Sequence, residues 1–174
     1  MRFCFLTFIL ISTSYPVFSK DIVNTVVQKY LEQKIPVDVF NRNNAPWEHG
    51  IYSINVLKNG DPSFTSTDKS INAILPIRVD LNAEIKKQIG YMNLTVGCKS
   101  RFYTNGKLEL IPILEKGYTE AKATINVSLP EVNMDCDGLK IPITSHLNQI
   151  IKANKKKWEN EIKYAYKNIW KNNK

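Results

Sequence analysis

Very little in this sequence is equipped for covalent chemistry. It holds two histidines and three cysteines in 174 residues. No Gly-rich phosphate loop, no HExxH, no CxxC and no nucleophile elbow occurs. Those absences remove the familiar routes to phosphoryl transfer, zinc hydrolysis, dithiol redox chemistry and acyl transfer. Beyond the N-terminus no run approaches the ~18 consecutive apolar residues that a membrane-spanning helix needs. No internal repeat is visible, so the length suggests one domain.

The N-terminus reads as a separate object. Met1-Arg2 is a short basic start, FCFLTFILIS an apolar stretch, and SYPVFS places Val17 and Ser19 at the small-residue positions before Lys20. That pattern predicts a secretory signal peptide over residues 1–19, with a single domain over 20–174 exported to the periplasm or the extracellular space. Cys4 lies in the apolar stretch and not in a lipoprotein site, so no lipid anchor is expected. The mature chain then keeps Cys98 and Cys136, and an even pair in an exported protein reads as a disulfide. A bridge there closes a loop of about 38 residues, for which chain entropy gives ~3–4 kcal/mol.

The formal charge is +8, and the excess is concentrated. Between Thr144 and Lys174 the lysines oppose only Glu159 and Glu161. Leu147, Ile151, Asn154, Trp158, Ile162, Ala165 and Ile169 step by 4, 3, 4, 4, 3 and 4, the stripe of one long amphipathic helix. Trp158, Tyr164, Tyr166 and Trp170 among its lysines suit an anionic membrane surface as well as a core-covering role. Nucleic acid is not an expected partner, because an exported protein rarely meets it and the helix offers no platform for stacking bases.

Asp21–Ile35 reads as a shorter amphipathic helix, capped by Asp21 and ended by Pro36, and residues 41–50, NRNNAPWEHG, as a polar loop. The middle alternates. Ile51–Leu57, Ile71–Leu81, Met92–Tyr103, Lys107–Glu115 and Ala121–Leu129 read as strands, with Leu139–Ile143 as a short edge strand because of Pro142. One-sided alternation of this kind indicates an antiparallel sheet, dry on one face and wet on the other. At Asn105-Gly106 the oily register favours a three-residue turn, Thr104–Gly106, pairing Phe102 with Leu108, Ser100 with Leu110 and Val96 with Leu114. It also sets Arg101 opposite Glu109. The expected class is therefore α+β: a curved antiparallel meander of about five to six strands on a long C-terminal helix, with a shorter N-terminal helix.

Candidate reactive groups have plainer explanations. Trp47-Glu48-His49 reads as a loop tip with a packed tryptophan, His146 as a surface or capping residue, and Asp135-Cys136-Asp137-Gly138 as a tight turn holding the disulfide. The last has too few oxygens for a calcium loop. No metal and no cofactor is implied. Asn93-Leu94-Thr95 and Asn126-Val127-Ser128 match glycosylation sequons, which count only in a eukaryotic source.

Three passages together carry a resemblance: the stripe INAILPIRVDLN with its internal proline, the meander MNLTVGCKSRFYTNGKLELIPIL, and MDCDGLKIPITSHLNQIIKANKKKWENEIKYAYKNIW. From Ser70 to the end their order is similar to a single module of the tubular lipid-binding (TULIP) superfamily, closest to exported bacterial members of uncharacterised function. The resemblance implies a non-enzymatic protein holding a lipid or other apolar ligand between sheet and helix. The implied walls are Leu75, Ile77, Val79, Leu94, Val96, Phe102, Ile125, Val127, Ile151, Trp158 and Ile162. The alternative is an envelope protein of inhibitor or immunity type, which binds another protein through its loops and has a filled core. A purely structural domain is a third reading. An enzyme requires Glu48 or His49 to meet Asp135 or Asp137 in a cleft. A cavity beneath Ile71–Leu81 separates the first reading from the second.

Overall fold

The computed structural model describes residues 20–171 other than 49, 68, 90, 114, 115, 117 and 118. The expected signal peptide with Cys4, His49, Leu114, and the side chains of Asp21 and Asn93 lie outside that description.

Alternation builds the sheet. On β4 (Ile71–Ile89) the residues Ile71, Ala73, Ile77, Val79, Leu81 and Ala83 are buried, while Ile74 and Asn82 between them and Glu84 after them are exposed. A strand turns successive side chains to opposite faces, so this one strand divides an oily face from a wet one. It pairs antiparallel along its whole length with β5 (Met92–Pro112), from Ile71↔Leu110 to Ile89↔Met92. Around this long hairpin lie β1 (Asp38–Trp47), β2 (Gly50–Lys58), β3 (Ser63–Ser66), β6 (Ala121–Val127), β7 (Asn133–Cys136) and β8 (Leu139–Pro142). The sheet has eight strands in the order β1-β2-β4-β5-β7-β8, with β3 beside β4 and β6 beside β5. The helices are α1 (Lys20–Lys34) and α2 (Thr144–Lys171). The class is the expected α+β with a curved antiparallel sheet, and the strand count is higher than the five or six anticipated.

Two local expectations are overturned. Asn105-Gly106 is not a turn. It lies inside β5, opposite Pro76 and Leu75, and the chain reverses between Ile89 and Met92 instead. The pairing that wins matches two uninterrupted stripes along β4 and β5, where a turn at Gly106 would have matched only the two halves of β5. Arg101 consequently faces Asp80 rather than Glu109. Residues 41–50 are not a loop either, since Asp38–Trp47 is an edge strand on β2. Its polar composition and Pro46 disguise it. An edge strand needs no donor on its outer side, and a register shift between Arg42 and Ala45 takes up Asn44, whose φ is 50°. β3 and β7, four residues each, are too short to show as alternation in the sequence.

Pro76 sits where it does least harm. Its carbonyl accepts from the Asn59 N–H at 2.9 Å, so the missing donor faces the same side of β4. There β3 stops pairing at Ile74 and β2 starts at Ile77. The vacant ladder position falls in the gap between two neighbours.

On the wet face Asp80 stands between two guanidiniums, bonded to Arg101 Nε and to Arg78 Nε, the latter at 3.0 Å. The hydrogen bond from Arg101 holds the Asp80 carboxyl below its usual value of 3.8, with Arg78 adding to the effect. A depressed carboxylate stabilises the fold above its unfolded pKa, and that contribution disappears as pH falls through the folded value. Asp80→Asn should therefore lower the urea midpoint at pH 6, and the gap from the natural chain should close near pH 3. A gap that is the same at both pH values would mean that shape, not charge, accounts for the loss.

Candidate functional site

The fully buried residues of helix α2 lie toward its two ends and not in its middle. Near its start Leu147 and Ile150 are buried in one cluster with Tyr52, Ile54, Val79, Leu81, Met134 and the Cys98–Cys136 bridge. Near its end Tyr166 and Ile169 are buried in a second cluster with Ile71, Leu110, Ala121, Ala123 and the α1 residues Val27 and Leu31. Burial pushes the Tyr166 phenol up to about 12, against a smaller opposing influence of the neighbouring Trp170. The helix positions that face the sheet between the clusters, Ile151, Trp158, Ile162 and Ala165, are only half-buried. From Ile150 to Tyr166 the helix rises about 24 Å at ~1.5 Å per residue. Under that span lies a slot of about 470 Å³.

The slot's walls are carbon. All the wall residues expected from the sequence line it except two: Leu75, Ile77, Val79, Phe102, Ile125, Val127, Ile151, Trp158 and Ile162 are present. Val96 instead pairs with Ile85 and packs on the first cluster, and Leu94 is 44% exposed. Both belong to the part of the β4–β5 hairpin at and beyond Ile85, where β2 ends. Sequence reasoning missed the wall supplied by Val39 and Phe40, because no strand is expected between Pro36 and the polar stretch 41–50. It also missed Ile54 and Val56 on β2, whose alternation was visible, and the end of α1 with Tyr30, Leu31 and Lys34.

Gly106 contributes by having no side chain. It stands on the inward face of β5 between Thr104 and Leu108 and lines the slot. A Cβ there would come no nearer than 3.9 Å to the Leu75 carbonyl oxygen, so packing does not demand glycine. The Thr104 hydroxyl is turned to the Ser128 carbonyl at 2.6 Å, which leaves carbon toward the slot.

The two long sides of the slot differ. β6 pairs only with β5, and α2 covers its free edge. The Ile125 N–H donates to Glu159 Oε1 at 3.1 Å, Lys155 Nζ to Asn126 Oδ1 at 3.2 Å, and Lys167 Nζ to Glu120 Oε1 at 2.7 Å. The Lys167 hydrogen bond holds the Glu120 carboxyl below the usual range. On the β1 side the helix meets the sheet through rings, with Phe40 and Trp158 edge to face at 5.5 Å. One side is stitched by polar bonds; the other is closed by an aromatic contact.

Elsewhere, His146 is half-buried between Trp47 and Tyr52, with ring centroids at 5.4 and 5.2 Å, and is neither a surface residue nor a cap. Its Nε2 is buried without a hydrogen-bond partner, and burial holds the imidazole below its usual pKa. On the wet face a polar hollow of about 690 Å³ gathers Asp135, Asp137, Glu84 and Lys99, and Glu48 does not line it. Among the described residues no group of three or more His, Cys, Asp or Glu could hold a metal ion. None of the described helices is long and apolar enough to cross a membrane.

Residues 21–169, which span both helices and the whole sheet, match the family described as Domain of unknown function (DUF4403). The chain belongs to this family. The DUF4403 match therefore takes in both clusters that seat α2 and the slot between them. Among curated proteins none matches the chain.

Proposed function

We propose that this DUF4403 chain is an exported, non-enzymatic carrier that holds a lipid or other apolar ligand between its sheet and α2, in the manner of a TULIP-like module. The observation that carries the reading is a helix seated at both ends over a carbon-lined slot of about 470 Å³. Slots of ~300–1,000 Å³ are the usual size for small-molecule sites. Left unfilled, the slot would leave its apolar walls facing water or lacking partner atoms, both of which are unfavourable. Water is a poor filler, because it needs two to four polar partners and these walls supply almost none. An apolar chain loses its own contact with water on entering and restores the missing contacts of the walls.

The slot also favours this reading over an inhibitor or immunity protein, which has no need of an unfilled stretch under its longest helix. The exposed lysines of α2, such as Lys152 and Lys156, face away from the slot and suit an anionic membrane at which such a ligand would be exchanged. Delipidated protein should take up a fluorescent fatty acid, and organic extraction of the native protein should release a lipid visible by mass spectrometry. No uptake together with an empty extract would sink the proposal.

A further inference from the structure

The slot's apolar walls leave the polar end of its ligand undefined, and the charges around its rim define it. Among the described residues three charged side chains border the slot: Lys34, Lys107 and Glu161. Lys107 is exposed and shares the outward face of β5 with Arg101 and Glu109, so its ammonium belongs to the wet face. Glu161 is exposed and pairs with Lys157 on its own helix at 3.9 Å. Lys34 is different. Its ammonium lies 5.8 Å from the centroid of the Tyr30 ring, and that ring is itself part of the slot wall. No carboxylate of the described residues pairs with it.

Beside Lys34 the chain forms an apolar lip. Pro36 and Val39 line the slot, and Val37 next to them is 70% exposed. This lip and the Phe40–Trp158 contact lie on the side of the slot that no polar stitching closes. An unpaired cation at an apolar lip is complementary to an amphiphile with a negative head. The tail lies in the slot and the head stops where the wall ends.

We infer that the slot takes an anionic amphiphile, a fatty carboxylate or a lipid phosphate, whose head group is held by Lys34 at the β1 side. The inference rests on the proposed apolar-ligand function and adds a charge preference to it. A charge-assisted hydrogen bond from Lys34 to the head should favour an anionic ligand over its neutral isostere by about tenfold. Part of the preference should fade with added salt, because the site is at the rim.

The test compares three probes of equal chain length, dodecanoate, dodecanol and dodecyltrimethylammonium, each displacing a fluorescent apolar dye from the full chain. Dodecanol reports the slot alone, and the ratio of dodecanoate to dodecanol reports Lys34. The natural chain should bind dodecanoate about tenfold more tightly than dodecanol and the cation weakest of the three. Lys34→Gln should abolish the preference by bringing dodecanoate down to the level of dodecanol, Lys34→Arg should keep it, and Lys152→Gln, an exposed lysine outside the slot, should leave both affinities and their ratio unchanged. Equal binding of dodecanoate and dodecanol, or a preference that survives Lys34→Gln, overturns the head-group assignment and leaves the slot standing. Failure of every probe to displace the dye overturns both.

Discussion

Ala165→Phe should make the delipidated protein more stable and nearly abolish ligand uptake. The two effects have opposite signs only if the slot is real. Ala165 is half-buried on the inner face of α2 and lines the slot beside Ile162. In a filled core, an added phenyl ring forces off-rotamer side chains and backbone shifts costing ~1–3 kcal/mol. Over an open slot the ring instead leaves water, and burying it is worth ~1.5–3 kcal/mol. Each kcal/mol moves the melting temperature of a chain of this size by about 2–4 °C, so a rise of several degrees is expected. Dodecanol should then bind at least about tenfold more weakly, because the ring occupies the space its tail would use. Thermal melts and dye displacement on one preparation check both. A lower melting temperature with uptake unchanged would place any ligand somewhere other than beneath α2.

Much of this site was legible because the sheet and the helix each carry one clean period. The parity of β4 and β5 assigns inward faces correctly even where the topology goes wrong. Phe102, Leu108 and Leu110 lie on one face whether the chain turns at Gly106 or runs straight through it. Local turn chemistry misled at that point: Asn-Gly between apolar runs is a strong hairpin signal, but a long unbroken partner strand outweighs it. What could not be read is the meaning of the glycine. Its role as an absence in the wall exists only once Leu75 is known to stand opposite and α2 above. The β1 wall was hidden for another reason. An edge strand with a bulge and a proline has neither a two-sided ladder nor regular alternation, so Val39 and Phe40 sit in what looks like loop.

The helix that roofs the slot depends on how firmly its first turn is fixed, and the second large effect follows from that. Replacing Cys98 and Cys136 together by alanine should cost about 4 kcal/mol, since the bridge closes a loop of 38 residues. The bridge matters here because β7 is tied to β5 at few points. Among the described residues the two strands pair at Lys99↔Asp135, the Ser100 hydroxyl donates to the Asn133 carbonyl at 2.9 Å, and β8 pairs with β7. The segment beside them sets the start of α2: the Ile143 N–H donates to the Val132 carbonyl at 2.9 Å, and the Val132 N–H to Thr144 Oγ1 at 2.8 Å. Loosening β7 therefore loosens the seat of Leu147 and Ile150 at one end of the slot. Urea denaturation should show the loss of stability in the double variant. Hydrogen exchange should rise first in β7, β8 and the opening turns of α2, while β4, β5 and the Tyr166 end stay protected. Dodecanol affinity should fall with it, although neither cysteine lines the slot. If the midpoint barely moves, then burial of Val132 and Met134 holds that end unaided, and the disulfide is a consequence of the fold and not a condition for its slot.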